Sequence, residues 1–200
     1  MFGNVKEIEA VLLALAEQLE AVGVRRLEIV VCGGAALNIL GFVKRTTKDV
    51  DIMAFVDESK DGITILNKTT PLESEFLNAA ERVKNDFNLP EHWINAVPAS
   101  VIDFGLPNGL MDRVEIRKYG ENLIVRFISR YDQIHFKLYA AADQTRKDVH
   151  YQDLIDLKPT VGELEDAARW CMTHDISAVF KEVLIDLLTQ LGRKDVADKL

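Results

Sequence analysis

The sequence predicts an α/β (α+β) chain, a small sheet flanked by helices and followed by a helical C-terminal part. Three observations carry that prediction. Residues 4–21 hold a helical apolar stripe that precedes a strand at Leu27 to Cys32. The stretch Val30 to Val56, VVCGGAALNILGFVKRTTKDVDIMAFV, then reads as strand, glycine pair, short helix, basic turn and strand. From Ser129 onward, capping signals and helical periodicity replace strand patterns. The expected division is a core over residues 1–128 and a helical region, residues 129–200, packed on it.

The elements follow in order. In the first helix Val5, Ile8, Val11, Leu12, Leu15, Leu19 and Val22 recur at helical spacing, Asn4 with Glu7 reads as a capping box, and Gly23 is the stop. Its stripe is suited to covering the sheet that starts at Leu27. Gly33-Gly34 closes the first strand and opens a short apolar helix, Ala35 to Leu40. Glycines there permit positive φ and let a ligand approach the backbone, and the helix start offers N–H groups to an anion such as phosphate. The second strand begins Asp49-Val50-Asp51-Ile52. Alternation sends both carboxylates to one face, about six to seven ångströms apart, and Val50 and Ile52 to the other. Like charges held that close repel, and a shared hard divalent cation removes the conflict.

Beyond Val56 the acidic stretch Asp57 to Thr69 reads as a loop with a brief extended piece at Ile63 to Leu66. Thr70-Pro71-Leu72-Glu73 combines an N-cap, a first-turn proline and a capping glutamate. Phe76, Leu77, Ala80, Val83 and Phe87 continue one face, and Asn88 and Pro90 end the helix. From Glu91 to Leu110 periodicity is weak, with Trp93 and Phe104 as apolar anchors; His92 is assigned no role. Arg113 to Tyr119 and Asn122 to Ile128 read as strands joined at Gly120-Glu121. Ser129-Arg130-Tyr131-Asp132 opens a helix carrying Lys137, followed by RKDVHYQDLIDL. Thr160 to Glu163 starts another helix with Leu164, Ala168 and Cys171 inward. A last one, Asp175 to Leu191, carries a broad stripe of Ile176, Val179, Phe180, Val183, Leu184, Leu187, Leu188 and Leu191.

Composition bounds the partners. With 48% hydrophobic residues in a 200-residue chain, one sizeable core is affordable and disorder is not expected. A net charge of −8 argues against nonspecific nucleic-acid binding by the whole surface, although Lys44, Arg45 and Lys48 form a local basic patch suited either to phosphate or to a solvated turn. Cys32 and Cys171 read as small core residues of a reducing compartment. The N-terminus lacks a signal core and no apolar run approaches a membrane span, so the expected location is the cytoplasm, with no membrane partner.

A hydrophobic strand, Gly-Gly, a helical turn and then Arg45-Thr46-Thr47-Lys48-Asp49-Val50-Asp51 resembles the signature of the minimal nucleotidyltransferases of the DNA polymerase β superfamily. Within it, the chain is similar to the AbiEii-type toxins and a related group of bacterial nucleotidyltransferase-like proteins, closely in the N-terminal half and more loosely after it. The resemblance implies a small mixed sheet and transfer of a nucleoside monophosphate from a nucleoside triphosphate, with Mg²⁺ (or Mn²⁺) on Asp49 and Asp51. Gly33, Gly34, Arg45, Thr46 and Thr47 would meet the triphosphate. A third metal carboxylate is expected from a later strand: Glu115 is the best placed, ahead of Asp103 and Asp112, and its alternative is a salt bridge to Arg117 or Arg126 across the hairpin.

In the AbiEii-type relatives a helix lysine, an Arg/Lys-Asp element and an Asp-Leu pair contribute to the active site. By that resemblance Lys137 would contact nucleotide phosphate. Asp148 or Asp153 would support the lysine, orient a substrate hydroxyl or act as base; the plainer alternative for Lys137 is a snorkelling helix residue. The role of His150 stays open. The acceptor is open between RNA, a protein and a small molecule, and the resemblance suggests a toxin–antitoxin or defence setting with a partner protein. The alternative is a catalytically weak, antitoxin-like binding or regulatory protein on the same fold. A metal-dependent phosphohydrolase ranks lower, because no histidine lies near Asp49 and Asp51 in sequence.

Overall fold

A computed structural model describes residues 1–24, 26–58, 64–69, 73–143 and 148–200. The chain forms two compact units, Met1–Asp103 with Met111–Ile128, and Phe104–Leu110 with Ser129–Leu200.

In the first unit, helix α1 spans Val5–Ala21, and its Ile8, Val11, Leu12, Leu15 and Leu19 are buried. Full burial of one leucine contributes about 1.5–3 kcal/mol, so this stripe is a main source of the unit's stability. Asn4 Oδ1 accepts the Glu7 N–H at 3.2 Å, while the Glu7 carboxylate accepts the N–H of Gly3 at 2.8 Å instead of that of Asn4. The chain then enters β1 (Leu27–Cys32), α2 (Gly33–Ile39), β2 (Val50–Glu58), β3 (Thr64–Asn67), α3 (Glu73–Phe87), β4 (Ile94–Asn95), β5 (Glu115–Tyr119) and β6 (Leu123–Phe127). The sheet is mixed. Its order is β3-β2-β1-β6-β5 with β4 added on β2; β1 runs antiparallel to β2 and parallel to β6.

Period-two alternation assigns the faces. Leu27, Ile29 and Val31 of β1, Leu123, Val125 and Phe127 of β6, and Val50 and Ile52 of β2 join α1, α2 and α3 in one buried cluster. The opposite face carries Glu28, Cys32 and Asp51, the last two being direct cross-strand partners. Between β1 and β2 the register shifts at Val30/Val31, so Met53 is an extra residue on β2 just beyond Asp51. A bulge there turns the strand next to the acidic residues.

The second unit is helical: α4 (Arg130–Asp143), α5 (Val149–Leu157), α6 (Val161–His174), α7 (Ala178–Gln190) and α8 (Lys194–Ala197). Thr160 and Glu163 form a complete capping box. At the start of α4 the Asp132 N–H donates to Ser129 Oγ, which donates in turn to Asp132 Oδ2 at 2.6 Å. Leu164, Ala168 and Cys171 are fully buried, and burial pushes the Cys171 thiol pKa up.

Several apolar positions depart from the expected stripes. Leu77 and Phe87 of α3 are exposed, and the buried face runs through Phe76, Ala79, Ala80 and Val83 instead. Phe104 is no core anchor; it is more than half exposed, whereas Trp93 is buried and donates its indole N–H to Ala80 O. Helix α7 starts at Ala178 after its Ser177 cap, leaving Ile176, Val179 and Val183 exposed while Leu184, Leu187 and Leu188 are buried. Residues 97–104 and 110–112 form 3₁₀ turns, where a threefold period hides any helical stripe. The Thr70-Pro71-Leu72 capping signal lies outside the described residues, as do the side chain of Glu73 and Arg146 and Lys147 ahead of α5. Among the described residues no helix is long and apolar enough to cross a membrane.

Candidate functional site

The site is built where β1 ends. Gly33 takes φ +70°, in the left-handed region open to glycine, and a Cβ there would fall on Asp51 Oδ2 and lie 3.2 Å from its Cγ. The Asp51 carboxylate therefore sits directly over the Gly33 backbone. Gly34 is equally enclosed: a Cβ would meet Thr47 Oγ1 at 2.5 Å and the Arg45 guanidinium at 3.0 Å. The glycine pair thus draws one carboxylate, one hydroxyl and one guanidinium onto the first turn of α2.

The basic turn is held by its own bonds. Buried Asn38 of α2 donates to Gly34 O at 2.9 Å and accepts the Arg45 N–H at 3.4 Å, which clasps the turn back on the helix. Thr47 is buried by a bridge to Phe2, with N–H to carbonyl bonds of 2.7 and 3.0 Å in the two directions. Phe2 stands edge-on to Trp93, ring centroids 6.4 Å apart. Arg45 also donates to the carbonyl of exposed Thr46 at 3.1 Å.

Asp51 is half-buried and accepts a hydrogen bond from Asn95 Nδ2 at 3.2 Å, across the two-residue parallel pairing of β4 with β2. Asp49 lies one residue before β2, so the regular alternation begins at Val50. Its carbonyl accepts from Thr47 Oγ1 at 3.4 Å. With Lys48 and His92 it lines a cavity of about 500 Å³. His92, in a left-handed conformation at φ +58°, enters the lining through a loop that carries no periodic signal.

The expected third carboxylates are placed elsewhere. Glu115 sits on β5, three strand positions from β2, a separation of about 14 Å at normal strand spacing. There it accepts two bonds from Arg117, which also reaches Glu9, Ile39 O and the face of Phe127. Asp103 pairs with Lys68, and Asp112 is exposed in a 3₁₀ turn. Among the described residues no three His, Cys, Asp or Glu side chains gather as a metal cage.

In the second unit Lys137 and Asp153 are both buried, with Nζ to Oδ2 at 2.8 Å. The lysine does not snorkel. Its Nζ also meets His150 Nδ1 at 3.3 Å, and His150 Nε2 lies 3.9 Å from Asp148 Oδ2. Asp148 itself caps α5, accepting the N–H groups of His150 and Tyr151 at 3.0 Å each. Lys137, His150, Asp148 and Asp153 thus form one polar group on α4, α5 and the α5 cap.

Sequence reasoning missed Asn38, Asn95 and His92. Asn38 left a trace, as the one polar side chain in the apolar helix GGAALNI. Asn95 left none, because its position beside Asp51 is set by a two-residue strand pairing far along the chain.

A family model described as a nucleotidyltransferase of unknown function (DUF6036) matches residues 10–158. Neither the curated proteins nor the solved structures contain a match to the chain.

Proposed function

Because the chain belongs to this nucleotidyltransferase family, we propose that it transfers a nucleoside monophosphate from a nucleoside triphosphate to an acceptor, with Mg²⁺ on Asp49 and Asp51. The observation that carries the reading is the Asp51 carboxylate lying over Gly33 at the start of α2, where a side chain on residue 33 would fill the space. The donor set suits the ion. Mg²⁺ is commonly held by one or two carboxylates with substrate phosphates completing its shell, so two aspartates fit it even though no third ligand joins a group among the described residues. When bound, it supplies neutralisation of the charge on the phosphates and the leaving pyrophosphate.

The protein's own groups do the positioning. Arg45 and Thr47 offer a guanidinium and a hydroxyl beside Gly34, suited to triphosphate oxygens, and Thr46 adds a hydroxyl on the same turn. Asn95 fixes one Asp51 oxygen and so orients the carboxylate. The acceptor oxygen forms its bond to the α-phosphorus as the α–β bridging bond breaks, and the electron pair leaves on pyrophosphate. Lys137 is assigned a phosphate contact; Asp153 holds it in place, and Asp148 orients or deprotonates the acceptor hydroxyl. RNA, a protein and a small molecule remain the acceptor classes to screen, and an AbiEii-like toxin–antitoxin role belongs to the same proposal.

Asp51→Asn is expected to abolish radiolabelled NMP transfer to total RNA and lysate while circular dichroism stays native. A rate equal to that of the unaltered chain removes the assignment. One observation favours a second reading, a binding or antitoxin-like regulatory protein: Asn95, not a carboxylate, contacts Asp51. Calorimetry with each triphosphate and Mg²⁺ separates the two, since binding without transfer supports the second.

A further inference from the structure

The C-terminal unit contains a cavity of about 420 Å³ between the segment Phe104–Leu110 and helices α4 and α6. That volume falls in the range of small-ligand sites. Rings form much of its wall. Phe104 is 56% exposed, yet its ring is braced by stacking on His174, centroids 5.7 Å and planes 29° apart. Trp170 is fixed by donating to Gly105 O at 3.2 Å and by edge-on packing against Phe136 and Tyr139. Tyr131 donates its hydroxyl to Asp166 Oδ2 at 3.2 Å. Asn108, Asp166 and Arg169 are among the polar residues of the same lining.

We propose that this cavity binds a nucleobase, stacked against Phe104 and Trp170 with its hydrogen-bonding edge toward Asn108 and Asp166; the choice of this ligand class rests on the nucleotidyltransferase reading. The chemistry narrows the ligand. A purely apolar molecule offers no donor to the Asp166 carboxylate or the Asn108 carboxamide, whereas a planar heterocycle with N–H groups does. A triphosphate does not suit a wall carrying Asp166, whereas exposed Arg169 can meet a single phosphate. An ionised Asp166 only accepts, so bases with an amino group are favoured over uracil. Stacking on fixed rings is how unpaired bases are commonly held. The base can come from a free nucleotide or from a single-stranded RNA acceptor.

Trp170 reports the test, because the chain's other tryptophan, Trp93, is buried in the first unit. The full chain, without Mg²⁺, is titrated with AMP, UMP and hexa-adenylate while tryptophan fluorescence is read. The expected result is saturable quenching by AMP, about ten-fold tighter than by UMP. Phe104→Ala weakens it about ten-fold, and Asp166→Ala removes the preference for AMP. Both side chains are exposed, so native circular dichroism is expected of each variant. Hexa-adenylate binding at least ten-fold tighter than AMP assigns the cavity to an acceptor strand, and equal affinity assigns it to the free nucleotide. Absence of saturable quenching, or natively folded variants that bind AMP and UMP as the unaltered chain does, overturns the proposal. The titration is repeated in Asp51→Asn. Retained quenching there with lost or absent transfer bears only on the catalytic reading, and lost quenching would move the bound base away from Trp170 and overturn this one.

Discussion

Gly33 and Gly23 both adopt left-handed backbone, at φ +70° and +84°, but their surroundings differ. Gly23 has open space where a Cβ would go, and Gly33 has the Asp51 carboxylate. Alanine at residue 23 therefore carries only the backbone penalty, about 1–2 kcal/mol, with transfer activity unchanged. Alanine at residue 33 carries the same penalty and must also displace Asp51. Gly33→Ala is expected to lose stability by more than Gly23→Ala in urea denaturation and to lose NMP transfer at least a hundred-fold; equal behaviour of the two variants would detach Gly33 from the site. This contrast also marks what a linear reading can reach. Gly33, Asp51 and Thr47 were legible because one β-α-β passage carries them all. Asn95 and His92 were not, because strand pairing brings them in from a stretch where 3₁₀ turns and a two-residue strand leave no period to read.

At the scale of elements, a buried ion pair and a buried carboxylate held by two arginines make different demands. Lys137 and Asp153 join α4 to α5 in a buried contact of 2.8 Å. Removing one partner leaves the other charge buried without this ion pair, so Lys137→Met is expected to cost about 3–5 kcal/mol, whereas Lys137→Met with Asp153→Leu recovers most of it. Chemical denaturation of both variants checks this, and a double variant as unstable as the single one contradicts the pairing. On β1, burial alone would raise the Glu28 pKa, but the hydrogen bonds and charges of Arg26 and Arg126 outweigh it and hold it below the ordinary 4.5. A depressed folded pKa gives stability that is present above the unfolded value and lost as pH falls through the folded one. Glu28→Gln should therefore lower stability near neutral pH and flatten its decline below 4.5, as read from urea midpoints along a pH series. The strands and caps behind these pairs followed from alternation and spacing. The exposure of Ile176, Val179 and Val183 did not, because a helical stripe tells which residues share a face and not how much of that face finds a neighbour.

Across the whole molecule, a ligand that binds only the folded state raises its stability by an amount set by affinity and concentration. At a hundred times its dissociation constant, Mg²⁺ with a triphosphate contributes about 2.7 kcal/mol. For a chain of this size each kcal/mol moves the melting temperature about 2–4 °C, so an upward shift of roughly 5–10 °C is expected. The division into two compact units sharpens the test. If the units melt in separate transitions, the one containing Gly33 and Asp51 should move with triphosphate and Mg²⁺. On the proposed reading, Asp51→Asn should abolish that unit's shift, as should chelation of the metal, because the ion would depend on both aspartates. Scanning calorimetry of the two chains, each with and without triphosphate and metal, gives the result directly. An equal shift in Asp51→Asn would take the nucleotide away from the glycine turn, and with it the case for metal-assisted transfer there.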